Sequence, residues 1–470
     1  MTEILSSSVR GRRGDVPLAE RLAQQVAARI EAHALRPGTR LPSIREAALQ
    51  SGVSRVTVVE AYDRLVARGL VESRRGSGFY VRSRAAAPAP ALTPAVASSP
   101  IDVRWALDSM LRQWPGPEQP GAGVLPPDWL DEELVAGALR AVARQSPRAA
   151  LGYGDGRGYA PLRRQLAIRA EGLGIGASPE AILTTAGVTH ALDLVARHFV
   201  GPGDTVLVED PGWFLLFARL AAHGARVVGV PREPDGPDLA ALESLLAQHR
   251  PKLFILSSVL HNPTSTSISA AKAYALLRLA EQHDFTIVED DIYGDLHSGA
   301  GLRLSALDQL RRTVYLGGFS KSLAPSLRVG YLLAEPGLVA RLTELKMLSG
   351  LTTAELGERV VLRVLAEGRY RRHCERVRAK MAAGREASAR RLEALGLRLF
   401  VPPAEGMFLW VDCACDTNRV AAFGAERGLL FAPGGLFSPA QSASTWMRVS
   451  AASCRDERIW SILAEAIAQA

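Results

Sequence analysis

The chain has 470 residues, 47% of them hydrophobic and 22% charged, a globular composition at a length that suggests two or three domains. No run of about 18 uncharged apolar residues occurs, which excludes a membrane-spanning helix, and the first residues hold no apolar signal core, so a cytoplasmic location is expected. Residues 1–84 contain 15 Arg, no Lys and 8 Asp or Glu, a net +7 out of +8 for the whole chain. A basic excess confined to the first sixth of a chain favours a polyanionic partner. Four cysteines, Cys374, Cys413, Cys415 and Cys454, have no ligand-pair spacing, so free thiols are expected and no metal site.

In chain order, Leu18, Leu22, Val26 and Ile30 recur every four residues and predict an amphipathic helix. Pro37-Gly38 and Pro42 break it, and Ser43 caps a short second helix with Glu46 in its first turn. Ser51-Gly52-Val53 predicts a tight turn, and Ser54 caps a third helix running towards Arg68. The segment from Gly69 to Val81 reads as a two-stranded hairpin with Arg74 and Arg75 at its tip. Three helices followed by a basic wing suit a recognition helix in the DNA major groove.

The stretch LPSIREAALQSGVSRVTVVEAYDRLVARGLVESRRGSGFYV resembles the DNA-binding domain of the GntR family of bacterial regulators along its length. The resemblance implies that Arg45, Arg55 and Thr57 face a double-stranded DNA operator, with Arg75 and Gly76 at the wing tip. Residues 85–100 follow, with 7 Ala, 4 Pro and no charge. They offer no face to bury and read as a linker between a DNA-binding domain over 1–84 and a body over 101–470.

The body alternates apolar runs with helical stretches, the pattern of an α/β domain. Strands are predicted at Ala181–Ala186, Thr205–Glu209, Arg226–Val230, Leu253–Ser257, Phe285–Glu289, Thr313–Leu316 and Val329–Leu333, and helices at His190–Phe199, Asp238–His249 and Ala270–His283. Ligands in such folds gather beyond the carboxyl ends of the strands. There the sequence places Gly187-Val188-Thr189, Trp213, Asn262, Asp290 with Tyr293, Lys321 and Arg328. A glycine opening a helix after a strand seats phosphate through free amides.

Taken in order, these residues resemble the aspartate-aminotransferase fold (fold type I) of pyridoxal-phosphate proteins, from about Ile101 onward, with a large part near 145–345. The resemblance implies that Lys321 forms the Schiff base with the cofactor aldehyde, and that Asp290 keeps the pyridine nitrogen protonated. Asn262 and Tyr293 would bond the ring oxygen, and Trp213 would stack on the ring. Arg328 and the Val188 and Thr189 amides would hold the phosphate. Arg448 would grip an α-carboxylate, and Tyr153 would reach the neighbouring subunit's cofactor in a homodimer. Two positions depart from the family pattern, Gly318 and Val188-Thr189 standing where side-chain donors are usual, and a weaker phosphate grip is expected.

A GntR-type head joined to this body resembles the MocR subfamily. The combination implies a cofactor-dependent transcriptional regulator that senses pyridoxal phosphate, an amino acid or an amine. The alternative is an active aminotransferase with a DNA-binding head.

Overall fold

Helix α1 spans Leu18–Glu31, α2 Ile44–Ser51 and α3 Arg55–Ala67, and strands β1 (Val71–Arg74) and β2 (Gly78–Val81) form an antiparallel hairpin after them. The computed structural model describes residues 17–82 and 119–470, apart from 33, 36, 75, 76, 300 and 403, and the chain divides into two units, one holding this head and one the body. Arg75, Gly76 and the linker expected at 85–100 lie outside the described residues. The head's caps are those its sequence foreshadowed. Ser43 and Glu46 close a reciprocal capping box on α2, with bonds of 3.3 and 2.9 Å, and the Ser54 hydroxyl accepts from the Thr57 amide at 3.1 Å. Gly52 ends α2 at φ 63°, a left-handed turn that glycine adopts without strain.

One expectation about α1 is corrected. Leu22 and Val26 are buried, but Leu18 is 44% exposed, and the stripe is completed by Ala19, Ala23 and Ala27. A step of four residues overshoots a helical turn by roughly 40°, so a strict four-residue repeat drifts off the buried face. Glu20 then ties α1 to α3, bonding Arg64 at 2.7 Å and Arg68 at 2.5 Å.

The body is built on an eight-stranded sheet. Its strands are β3 (Ile182–Thr185), β4 (Thr205–Asp210), β5 (Arg226–Glu233), β6 (Gly236–Pro237), β7 (Leu253–Leu256), β8 (Thr286–Asp290), β9 (Thr313–Gly318) and β10 (Gly330–Leu333). They lie in the order β3-β10-β9-β8-β7-β4-β5-β6, with β10 antiparallel to both neighbours and β9, β8, β7, β4 and β5 mutually parallel. Each of the seven predicted strands is present within a few residues of its expected ends. Their apolar runs are continuous because both faces are covered. Along β7, Leu253 and Ile255 pack with Val206 and Val208 in one cluster, while Phe254 and Leu256 pack with Leu207 and Ile287 in another. A smaller antiparallel sheet, β11 (Arg398–Leu399), β12 (Phe408–Asp412), β13 (Ala432–Pro433) and β14 (Trp446–Ser450), runs in the order β11-β12-β14-β13. Arg448 sits on its β14, paired with Trp410 on one side and Ala432 on the other. Among the described residues no helix is long and apolar enough to cross a membrane.

The two α1 leucines separate packing from pattern. Leu22→Ala should cost the head about 2–5 kcal/mol, and Leu18→Ala within about 0.5 kcal/mol of nothing. Native-state hydrogen exchange of the α3 amides in the full chain reads both, and equal costs would refute the assigned face.

Candidate functional site

The loops after β3, β4, β7, β8 and β9 converge on a cavity of about 370 Å³. Its wall includes Val188, Thr189, Trp213, Asn262, Asp290, Tyr293, Lys321 and Arg328, eight positions singled out from sequence that lie far apart along the chain. Strand alternation selects among the acids at the end of β8. Glu289 accepts from the Leu304 and Ser305 amides at 2.7 and 2.8 Å, and Asp291 accepts from Arg303 Nε at 2.8 Å and the Tyr315 hydroxyl at 2.7 Å. Asp290, between them, points the other way and lines the cavity. Its carboxylate accepts the Ile292 N–H at 3.1 Å. Burial pushes its pKa up to about 7, against a pull from Lys321.

Lys321 follows β9 and donates from Nζ to the Gly123 carbonyl at 2.8 Å. Burial, with Arg448 and Arg328 nearby, lowers its pKa to about 8, so about a tenth of the amine is unprotonated at pH 7, far more than of an ordinary lysine. Tyr293 is buried edge-on against Phe408, ring centroids 5.5 Å apart, and burial raises its hydroxyl above the ordinary phenol range. Also on the wall, Glu209 bonds Arg232 and accepts from the Ser257 amide at 2.8 Å, with His261 Nε2 3.3 Å away. This network braces the loop that carries Asn262.

At the opposite end, Val188 and Thr189 open the helix Val188–Phe199, and their amides have no carbonyl partner among the described residues. Arg328, at φ 51°, donates from Nη2 to the Ala186 carbonyl at 2.9 Å and from Nη1 to Ser320 Oγ at 3.4 Å. A Cβ on Gly187 (φ 83°) would stand 2.6 Å from that guanidinium, so only glycine lets arginine and helix start share the corner. The corner joins a fixed cation to a positive helix terminus, the arrangement that holds phosphate. Gly318 also finds its reason: a Cβ there would lie 2.9 Å from Ile292 Cδ1 and 3.2 Å from Val188 Cγ2. A hydroxyl at this end is that of Ser320, beside that of Thr189; sequence reasoning passed over Ser320 although it adjoins Lys321.

Arg448 lies one bond behind the wall. Its Nη1 donates to Asn262 Oδ1 at 2.8 Å and its Nη2 to the Gly121 carbonyl at 2.6 Å, between the rings of Phe408 and Phe437. It is 4% exposed, no carboxylate pairs with it among the described residues, and Nε has no partner. Burial drops its pKa to about 10. Tyr153 is 83% exposed and joins nothing at this site within its own chain. Residues 121–124, whose carbonyls hold both Lys321 and Arg448, carried no motif and were invisible in the sequence.

On the head, Arg45 at the start of α2 and Arg55 at the start of α3 are exposed and make no ion pair among the described residues. Thr57 is half-buried, its hydroxyl 2.8 Å from that of Ser54. Val56, not singled out from sequence, is exposed beside them. Arg64, Arg68 and Arg74, by contrast, are paired with Glu20, Glu60 and Glu72.

Comparison with known proteins matches residues 121–467 to the aminotransferases of class I and II, and residues 18–81 to the gntR family of bacterial regulatory proteins. The chain is 33% identical over 362 residues to a 2-aminoadipate transaminase of Thermus thermophilus, spanning 74% of this chain and 89% of that protein. It is 31% identical over 386 residues to the probable rhizopine catabolism regulatory protein MocR of Rhizobium meliloti, spanning 78% and 75%. The solved structure of LysN, an alpha-aminoadipate aminotransferase from Thermus thermophilus complexed with N-(5'-phosphopyridoxyl)-L-leucine, superposes with a TM-score of 0.70 at 29% identity, over 79% of this chain and 95% of that one.

The raised Asp290 value has a stability consequence of definite sign. The unfolded carboxyl ionises near 3.8 and the folded one near 7, so the folded state holds the proton more tightly and loses stability as pH rises from 4 to 7, with no further loss above. Asp290→Asn should therefore leave cofactor-free protein unchanged near pH 4 and stabilise it above pH 7, by up to about 4 kcal/mol. Chemical denaturation across that range measures it, and a pH-independent difference would refute the assigned environment.

Proposed function

Since the chain belongs to the aminotransferase class I and II family over 121–467 and carries a GntR-family head over 18–81, the MocR-type architecture, we propose that it is a cytoplasmic transcriptional regulator whose affinity for an operator responds to pyridoxal phosphate and an amino-acid or amine effector. The carrying observation is the presence, in one chain, of a GntR-family head and a cavity lined by Asp290, Lys321 and Arg328.

The family and its neighbours imply pyridoxal phosphate, and the cavity's own residues fit it. A carboxylate short of partners suits a pyridinium, a lysine whose pKa burial lowers suits an aldehyde, and free amides beside Arg328 suit a phosphate. Bound there, the cofactor supplies an aldehyde that takes up amines and a ring that accepts electrons. Lys321 would hold the cofactor through its aldehyde, and Asp290 would hold the proton at the ring nitrogen. Asn262 and Tyr293 would bond the ring oxygen, and Trp213 would pack on the ring. Arg328, Ser320 and the Val188 and Thr189 amides hold the phosphate. Arg448 binds the effector's carboxylate, the anion its buried charge lacks. Tyr153 serves the neighbouring subunit's site in a homodimer.

On the head, Arg45, Arg55 and Thr57 contact DNA, with Arg75 and Gly76 at the wing. Val56 has the apolar surface that suits a thymine methyl. Effector binding in the body changes the head's operator affinity, a coupling typically worth 5–150-fold.

Two measurements test this reading. Purified full-length protein loaded with pyridoxal phosphate should show a visible absorption band that Lys321→Ala abolishes; a wild type without the band overturns the cofactor assignment. Duplexes selected from a random library should bind at least about 5-fold differently with and without cofactor and an amino-acid panel. Equal affinity throughout overturns the regulator. Arg45→Ala and Arg55→Ala should weaken binding and each flatten the salt dependence by roughly one unit of slope.

A further inference from the structure

The segment 121–124 spans from one functional cation to the other. The Gly121 carbonyl accepts from Arg448 at 2.6 Å, and the Gly123 carbonyl accepts from Lys321 at 2.8 Å. A Cβ on Gly123 would stand 3.4 Å from the Arg448 guanidinium, so the backbone passes directly beside it. The next side chain, Val124, is 45% exposed and lines the cavity. In the effector reading above, an amino acid with its carboxylate towards Arg448 and its amine towards Lys321 would have Val124 beside it.

The charges of the same wall limit what that side chain can be. The cations among the described lining residues are Lys321 and Arg328, with neutral His261 at the back. Arg328 is turned to the far corner by Ala186 and Ser320, and Arg448, beside Asn262, is the cation that the α-carboxylate takes up in the effector reading. The remaining charges on the wall are the acids Glu209 and Asp290, Glu209 being committed to Arg232. Around them Trp213, Leu215, Ile292 and Val124 present apolar surface. A second carboxylate there would meet no further cation among the described lining residues, at a free-energy cost that an apolar group avoids. Building on the effector reading above, we propose that the ligand is an α-amino acid with a neutral, apolar side chain, and that Val124 selects it.

L-Norvaline and L-glutamate test the idea cleanly, since they differ by a methyl against a carboxylate at the end of the same chain. Both are titrated into full-length protein loaded with pyridoxal phosphate, and binding is read by calorimetry and by the shift of the visible band. L-Norvaline should bind at least about tenfold tighter than L-glutamate, the order of discrimination expected of a polar group left unpaired. Val124→Arg should narrow or reverse that ratio, and Val124→Gly should weaken L-norvaline while leaving the visible band in place. Equal or tighter L-glutamate binding to the wild type would overturn the proposal, because a cation from beyond this wall would then be at work. So would a ratio that neither Val124 variant changes. If the band is present and neither amino acid perturbs it, the effector reading itself has failed and the proposal goes with it, an outcome distinct from binding with the opposite preference.

Discussion

Charges left short of partners in a desolvated place are the constraint around which the body is organised. Asp290 and Lys321 line one cavity with Arg448 just behind its wall, and in each case burial disfavours the charged form, up to about 7 for the acid and down to about 8 and 10 for the bases. A fold built for stability alone would pair such groups or replace them with apolar ones. Kept apart, they leave a cavity whose groups suit a molecule that carries a ring nitrogen, an aldehyde and an anion.

Much of the surrounding structure keeps those groups from satisfying each other. The pleat of β8 sends Glu289 and Asp291 into bonds with Ser305, Leu304, Arg303 and Tyr315, leaving the middle acid to the cavity. Glu209, Arg232 and His261 lock the loop that presents Asn262, and Asn262 in turn holds Arg448. The segment 121–124 supplies carbonyls to both cations, which positions them without neutralising either. Rigid parallel strands end at the cavity floor, so its parts are fixed by the core on both faces of the sheet.

The head follows a similar division of labour among its arginines. Arg64 and Arg68 serve the packing of α1 on α3 through Glu20. Arg45 and Arg55, at the starts of α2 and α3, are left exposed, with no ion pair among the described residues, where a polyanion can take up their charge. Thr57 is divided between roles, its amide and hydroxyl both engaged by the Ser54 cap.

How much was legible in the sequence depended on whether the signal was local. The helix caps at Ser43 and Ser54, the turn at Gly52 and the seven apolar strands of the large sheet are short-range consequences of side-chain chemistry and period, and they were read within a few residues. Leu18 shows the limit of even that, because a four-residue repeat and a helical turn differ by tens of degrees. The family pattern carried the ordered set from Val188 to Arg448, eight members of which meet on one wall. Only the tertiary structure decided that Asp290 rather than its two acidic neighbours faces the cavity, that Arg448 stands behind Asn262, and that Ser320 and the segment 121–124 belong to the site. Residues 121–124 bear no motif, and their role is exercised by backbone carbonyls. What a carbonyl touches is set by residues some 200 to 330 positions away, a relation that exists only once the chain has folded.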